Sequence, residues 1–232
     1  MNSNEEFEEV GKGWGTDFNG DYIFVIEDIP VDEYHIKDLP EELIQLKNMP
    51  EGVWEGVPDN IREQMLDQMG DMPVYEFAEK MPDEIREALP EDTKKLLEET
   101  EELFDQNPTY SEASEVMTDR VSNFLPEELK NLMEEQEEFI TDDGKVYTFI
   151  GLEDGKCTGV EILQIPDERE AGFVLHGDYE AWKDLSEGGD VVQAVMSGKL
   201  ELDGNMQKIL EYTDAAQMMG NISAEIDAKY IF

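Results

Sequence analysis

Few side chains in this sequence are of the types that carry out catalysis or bind metal ions. His35 and His176 are its two histidines, which is too few for a site of several histidines, and neither pairs with a convincing nucleophile. His176 ends an apolar run, a position typical of a hydrogen-bonded structural histidine. Cys157, the single cysteine, falls within a predicted hairpin strand, where we expect it to be packed. The sequence therefore predicts no catalytic residue and no metal ligand.

Three polar segments resemble ligand-binding loops but lack the spacing that such loops need. Residues 142–144 (Asp-Asp-Gly) and 153–155 (Glu-Asp-Gly) are predicted turns without the alternating oxygen ligands of a calcium loop. The glycine-rich stretch 11–15 precedes a predicted strand, whereas a dinucleotide fingerprint follows one. Among 59 acidic residues, a catalytic carboxylate pair cannot be distinguished from the surface. We therefore expect a protein that is not an enzyme and needs no cofactor.

The charge of the chain excludes one class of partner. The 232 residues include 59 acidic and 17 basic side chains, which gives a formal net charge of −42. Because nucleic-acid affinity depends on lysine and arginine side chains that neutralise phosphates, nucleic acid is excluded as a partner. The acids are spread from Glu5 to Asp227, and charges of one sign destabilise a compact fold. Since the screening length falls to about 3 Å at 1 M salt, we predict a halophilic protein.

The sequence lacks the features of an exported or membrane-spanning protein. It has no run of about 18 apolar residues, and its acidic N-terminus lacks the pattern of a secretion signal. A single cysteine cannot form an internal disulfide. Hydrophobic residues make up 39% of the chain, enough for a substantial core. We therefore expect a cytoplasmic protein without stable membrane insertion.

An apolar-proline-acidic pattern recurs between residues 31 and 139. Proline suits the first position of a helix, and the acids that follow it face the positive end of the helix dipole. The pattern therefore predicts a string of short helices, each beginning at its own proline, namely Pro40, Pro50, Pro58, Pro82, Pro90 and Pro126. Their buried stripe is predicted to include Ile85, Leu89, Leu96, Leu97, Leu103 and Phe104. We interpret residues 31–139 as a helical insertion that could dock a protein partner.

The remaining sequence predicts an α+β fold with one sheet. Asp-Gly at 154–155 separates two alternating apolar runs, which is a strong hairpin signal. Helices are expected at 4–10, from the capping residue Asp178, at 190–196 and from 205 to 212. The five predicted strands are 21–27, 145–152, 156–163, 171–177 and 197–204.

Two segments near the C-terminus carry a resemblance to a known family. Residues 173–185, FVLHGDYEAWKDL, form a strand, a turn and a helix. Residues 196–206, MSGKLELDGNM, contain the pattern Gly-Lys-Leu-x-(Ile/Leu)-x-Gly-(Asp/Asn). Residues 7–14 and 20–26 look like the first helix and first strand of the same fold. Together these segments resemble the sterol carrier protein 2 (SCP2)-like family of lipid-binding domains.

The resemblance implies a five-stranded mixed sheet covered by helices on one face, which enclose an apolar tunnel. It implies binding of lipids, sterols or acyl chains without catalysis. In the family the first two strands lie close in sequence, whereas here more than a hundred residues separate them. We therefore expect a discontinuous SCP2-like domain, residues 1–30 and 140–232, interrupted by the helical insertion 31–139.

The apolar residues of the C-terminal helices are the predicted lining of that tunnel. Methionine adapts its shape and suits loosely specific apolar sites. The residues expected to bind a sterol-, isoprenoid- or acyl-like lipid are Trp182, Val195, Met196, Met206, Ile209, Leu210, Ala215, Met218 and Met219.

The same residues could instead form an ordinary packed core, since apolar stripes usually pack. In that case the chain would be an interaction or scaffold protein with a filled tunnel, and the helical insertion would dock a partner. Composition alone does not separate the two interpretations, and the family resemblance favours lipid binding.

Overall fold

The computed structural model describes residues 4–226, apart from residues 124 and 142. Of the segments considered above, Asp142 and the chain ends 1–3 and 227–232 therefore lie outside the described residues. Within the described part, residues 4–29 and 137–226 form one compact unit, and residues 30–136 form a second. The division into a family domain and an insertion stays a prediction.

The first unit contains the five-stranded mixed sheet that the sequence predicts. The strands are β1 (Tyr22–Glu27), β2 (Val146–Glu153), β3 (Lys156–Leu163), β4 (Phe173–Asp178) and β5 (Leu200–Gly204). Their order is β3-β2-β1-β4-β5, in which β1 pairs parallel with β4 and the other pairs are antiparallel. The strand β1 is central because its side chains, YIFVIE, are β-branched or aromatic up to the final glutamate. The α+β fold class is confirmed.

The hairpin β2–β3 forms at the predicted Asp-Gly turn. Asp154 and Gly155 both have positive φ angles, 49° and 73°, as a two-residue type I′ turn requires. The Asp154 Oδ1 atom also accepts a hydrogen bond of 2.8 Å from the backbone N–H of Gly13. The turn is thereby fixed to the glycine-rich segment that follows the first helix.

Five helices of this unit pack on one face of the sheet. They are α1 (Glu5–Val10), α9 (Tyr179–Ser186), α10 (Val191–Ser197), α11 (Met206–Glu211) and α12 (Thr213–Ala224). The side chains of Asn4, Asp178 and Asp190 cap α1, α9 and α10 by accepting backbone N–H bonds of 3.0, 2.7 and 3.0 Å. The caps expected at Asp178 and Asp190 are therefore confirmed.

One predicted boundary near the C-terminus is wrong, and one helix was not predicted. Ser197 ends α10 instead of starting a strand, because Gly198 adopts the left-handed conformation (φ 76°) that terminates a helix. The strand β5 therefore begins at Leu200. The helix predicted at 205–212 is observed as α11, which ends before Tyr212, whose ψ of 36° departs from helical geometry. The helix α12, which begins immediately after Tyr212, was not predicted.

The second unit is helical, and proline residues mark its helix starts. In each case observed, however, the proline is the residue before the first helical residue. Pro58, for example, uses its carbonyl to accept the hydrogen bonds from Ile61 and Arg62. Pro40 and Pro50 precede short 3₁₀ turns instead of α-helices. The α-helices are α2 (Asp59–Met69), α3 (Val74–Lys80), α4 (Asp83–Ala88), α5 (Glu91–Gln106), α6 (Tyr110–Val116), α7 (Asp119–Asn123) and α8 (Glu127–Phe139).

The 3₁₀ turns of both units are short. They span Ile36–Asp38, Glu41–Leu43, Leu46–Asn48, Glu51–Trp54 and Pro166–Glu168. The predicted buried stripe of the second unit is confirmed, since each of its six members is at most 8% exposed.

Side chains alternate between the two faces of the sheet and so divide its core. Tyr22 and Phe24 on β1 face the helices, together with Phe173 and Leu175 on β4. On the opposite face a smaller cluster contains Ile23, Val25 and Leu163, each at most 2% exposed. The larger cluster, between the sheet and the helices, surrounds the candidate site.

Candidate functional site

A cavity of about 300 Å³ lies between the sheet and the helices of the first unit. Its floor is the sheet, where Tyr22 and Phe24 of β1, Ile150 of β2 and Leu175 of β4 line it. Tyr22 and Ile150 are cross-strand partners, and β1 and β4 run in parallel register, so these residues share one face. The floor is therefore a continuous apolar and aromatic surface.

The roof of the cavity comes from the four C-terminal helices. Trp182 and Leu185 of α9 form one wall, Val191 and Ile209 lie on α10 and α11, and Met219 lies on α12. The Trp182 ring is held in place because its Nε1–H donates a 3.0 Å hydrogen bond to the carbonyl of Val25. Its ring centroid lies 4.9 Å from that of Phe24 on the floor.

Polar groups are few in this lining. Within the described residues its side-chain polar groups are the hydroxyl groups of Tyr22, Ser186 and Ser223 and the indole N–H of Trp182, which is bonded to Val25. None of the described lining residues carries a carboxylate, ammonium or guanidinium group. The Ser186 hydroxyl donates to the carbonyl of Lys183 at 2.8 Å. Burial raises the pKa of the Tyr22 phenol above its ordinary value, so this side chain is neutral at physiological pH. The site is therefore suited to apolar, uncharged groups.

A second, much smaller cavity of about 20 Å³ adjoins the first. Tyr22, Ala216 and Met219 line both cavities, so these three side chains form the wall between them. The far side of the small cavity is closed by Phe7 and Trp14, which are 2% and 5% exposed. The space is thus divided by side chains, one of which is a flexible methionine.

Three of the predicted tunnel residues line the main cavity, namely Trp182, Ile209 and Met219. Ala215 lines only the small cavity. The remaining five are not among the lining residues. Of these, Val195, Met206 and Met218 are partly buried and pack against the surrounding core.

The placement of Met196 and Leu210 is corrected by the structure. Met196 is 76% exposed and Leu210 is 51% exposed, so neither faces the interior. Met196 lies two residues after buried Ala194, about 200° around the helix, and Leu210 is rotated about 100° from buried Ile209. Both side chains therefore point away from the core-facing stripe of their helices.

The floor of the cavity is formed by residues outside the predicted site. Tyr22, Phe24, Ile150 and Leu175 lie on predicted strands, but they were not assigned to the site. The period of two along β1 is the signal that could have found the first two, since residues at i and i+2 share one face of a sheet.

The residues considered for catalysis lie outside the cavity lining. His35 Nδ1 is 2.7 Å from the carbonyl oxygen of Asn107, and His176 Nε2 is 3.7 Å from Asp203 Oδ2. Cys157 is partly buried on β3. In the residues that the structure describes, no three His, Cys, Asp or Glu side chains gather into a set that could hold a metal ion. None of the helices in the described ranges is long and apolar enough to cross a membrane.

The fold and cavity define an α+β protein with a partly open apolar site between the sheet and the helices, and the comparisons with known proteins supply the family resemblance. Residues 125–217 match the family described as the SCP-2 sterol transfer family. The predicted resemblance is therefore confirmed for this part of the chain. The match includes α8, which the predicted boundary at residue 140 leaves out.

Two solved structures are similar to part of the chain. One is a conserved hypothetical protein from Thermus thermophilus, described as possibly a sterol carrier protein, with 29% identity over 38% of this chain and a TM-score of 0.34. The other is a sterol carrier protein 2, with 30% identity over 36% of this chain and a TM-score of 0.33. The matches cover 61% and 65% of those chains, less than two thirds of their length. Among curated proteins no match was found.

Proposed function

We propose that this protein binds and carries a sterol-, isoprenoid- or acyl-like lipid in the cavity under α9–α12, without catalysis. The observation that carries the proposal is the apolar cavity of about 300 Å³, located within a unit most of which matches the SCP-2 sterol transfer family. A volume of this size is at the lower end of the range for small-molecule sites. The uncharged lining supports an apolar guest.

The volume sets the scale of the affinity. If each methylene takes about the share of a water molecule in the liquid, ~30 Å³, the cavity holds roughly ten of them. Burial of ten methylenes at about 0.8 kcal/mol each gives about 8 kcal/mol, equivalent to a micromolar dissociation constant. Immobilising the ligand lowers this value, and a chain that protrudes from the cavity adds contacts.

Residues on the floor and on the roof of the cavity contribute to binding in different ways. The aromatic floor of Tyr22 and Phe24 gives a rigid surface, and Trp182 is fixed over it by its bond to Val25. Met219 on the roof has three rotatable side-chain bonds and can adapt to the shape of the guest. Most of the lining residues, Phe24, Ile150 and Ser223 among them, are partly exposed, so a ligand could enter the cavity from solvent.

The alternative interpretation, an interaction protein with a filled tunnel, requires the space under these helices to be occupied by side chains. The free volume favours lipid binding over that alternative. Docking of a partner by residues 31–139 stays a separate prediction.

Titration calorimetry with a sterol, an isoprenoid alcohol and a medium-chain alcohol tests the proposal. We expect saturable binding of at least one of them at one site per chain, with a negative heat-capacity change because apolar surface is buried. Absence of binding by all three ligands, to protein kept folded at high salt, would refute it.

A further inference from the structure

The side chain of Tyr22 is buried and immobilised at the boundary of the two cavities. It is 6% exposed and lines both of them. Its ring stacks on those of Trp14 and Phe173, at centroid distances of 5.6 and 5.1 Å, and the three rings form a triangle because Trp14 and Phe173 are also 5.1 Å apart. The Phe24 ring is a further neighbour at 5.7 Å. These aromatic contacts restrict the position of the Tyr22 ring and therefore of its hydroxyl group.

The hydroxyl group of Tyr22 has no hydrogen-bond partner among the described residues, and its oxygen is not one of their fully buried atoms, which leaves it accessible from the cavities that Tyr22 lines. A buried tyrosine usually finds a partner for its O–H, and a buried hydroxyl without one costs about 1–3 kcal/mol. The other hydroxyls of the lining differ, since Ser186 bonds to a backbone carbonyl and Ser223 is partly exposed to water. Tyr22 is thus a buried residue whose accessible, unpaired hydroxyl group a ligand oxygen could satisfy.

The same cavity disfavours the binding of a charged ligand. No cationic side chain of the described residues lines it, and the whole chain carries a formal charge of −42. A carboxylate moved into an apolar site without a cation pays a large desolvation penalty. The surrounding negative charge adds to that penalty for any lipid anion.

From these observations we infer that the site selects an uncharged lipid, bound with its single alcohol or carbonyl oxygen hydrogen-bonded to the Tyr22 hydroxyl, and that it discriminates against free fatty acids. The inference rests on the proposed function and specifies the ligand class and its orientation. The polar end of the guest lies at the wall between the cavities, and its chain extends into the main cavity.

Three probes with one chain length test the inference on the full-length protein at high salt. They are 1-decanol, decanoate and 1-chlorodecane, titrated at about pH 8, where a carboxyl of ordinary pKa about 4.3 is ionised. We expect decanol to bind at least about tenfold more tightly than decanoate. Equal binding of the two would overturn the inference and leave the proposed function standing.

The variant Tyr22→Phe keeps the ring and its stacking but removes the hydroxyl group. It should weaken decanol binding by about three- to tenfold, the range for one neutral hydrogen bond, and leave chlorodecane binding unchanged. If Tyr22 has only a structural role, the variant should bind decanol and chlorodecane more weakly to the same extent. If decanol binding is unchanged, water and not the ligand forms the hydrogen bond to the Tyr22 hydroxyl group. Either result overturns the inference. Absence of binding by these three probes alone would overturn the inference, and absence of binding by the sterol and the isoprenoid alcohol as well would refute the proposed function. The decanol-to-decanoate ratio of the wild type stays decisive should the variant not fold.

Discussion

Replacement of Ala216 by leucine should fill the proposed binding site from within. Ala216 lies on α12 and lines both cavities, so the added side chain would occupy the space at their common wall. Leucine adds three carbon atoms, which displace about three of the roughly ten methylenes that the cavity of about 300 Å³ can hold. At about 0.8 kcal/mol each, the ligand loses about 2.4 kcal/mol, or about fiftyfold in affinity.

The same substitution should leave the fold intact or stabilise it, because filling a cavity commonly adds about 0.5–2 kcal/mol to stability. Loss of binding together with unchanged or higher stability separates a blocked site from an unfolded protein. The assay is calorimetric titration with 1-decanol, beside urea unfolding of the same samples. Ala224→Leu is the matched control, since it makes the same chemical change at an exposed position of the same helix. Wild-type affinity in Ala216→Leu would refute the placement of the ligand in this cavity.

Four further expectations follow from the same geometry. In a series of n-alcohols, affinity should rise about fourfold per methylene and level off near ten carbons; a flat series or a continued rise would contradict the cavity volume. Ile209→Ala should lower the free energy of unfolding, measured with urea, by about 2–5 kcal/mol because Ile209 is 3% exposed. Leu210→Ala should change the same quantity by at most about 0.5 kcal/mol because Leu210 is 51% exposed. Burial raises the pKa of the Tyr22 phenol above its ordinary value of 10, so as the pH rises the phenol of the unfolded chain is ionised before that of the folded chain. Ionisation of Tyr22 should therefore lower the free energy of unfolding only above about pH 10. Decanol binding should stay constant from about pH 7 to 10. With a formal charge of −42, the folded fraction should decrease as salt is diluted, and circular dichroism showing a constant fraction would argue against a halophilic protein.

The strands could be predicted because their sequence pattern is local. The run of aromatic and β-branched residues in β1 and the Asp-Gly turn between β2 and β3 specify elements without reference to distant residues. Capping by Asp178 is equally local, since its side chain bonds to a backbone N–H three residues on. These signals were enough to predict the α+β fold class and most element boundaries.

The site could be predicted only in part because a cavity depends on three-dimensional distances. Periodicity marks Ile209 as apolar and inward-facing, but it cannot tell a residue that packs, such as Met218, from one that borders free space, such as Met219. The break at Tyr212 separates α11 from α12, and no proline or glycine between residues 206 and 216 predicts it. Leu210 is apolar like its neighbour Ile209, yet it is 51% exposed because it lies about 100° around α11 from Ile209.

Extraction of the purified protein tests the lipid-carrier account most directly. Protein isolated at high salt, without added lipid, is extracted with organic solvent, and the extract is analysed by mass spectrometry beside that of Ala216→Leu. The account predicts an uncharged lipid in the wild-type extract, in an amount approaching one per chain, and much less of it in the variant. An extract without lipid, or equal amounts from both proteins, would contradict the claim that this cavity holds an apolar guest.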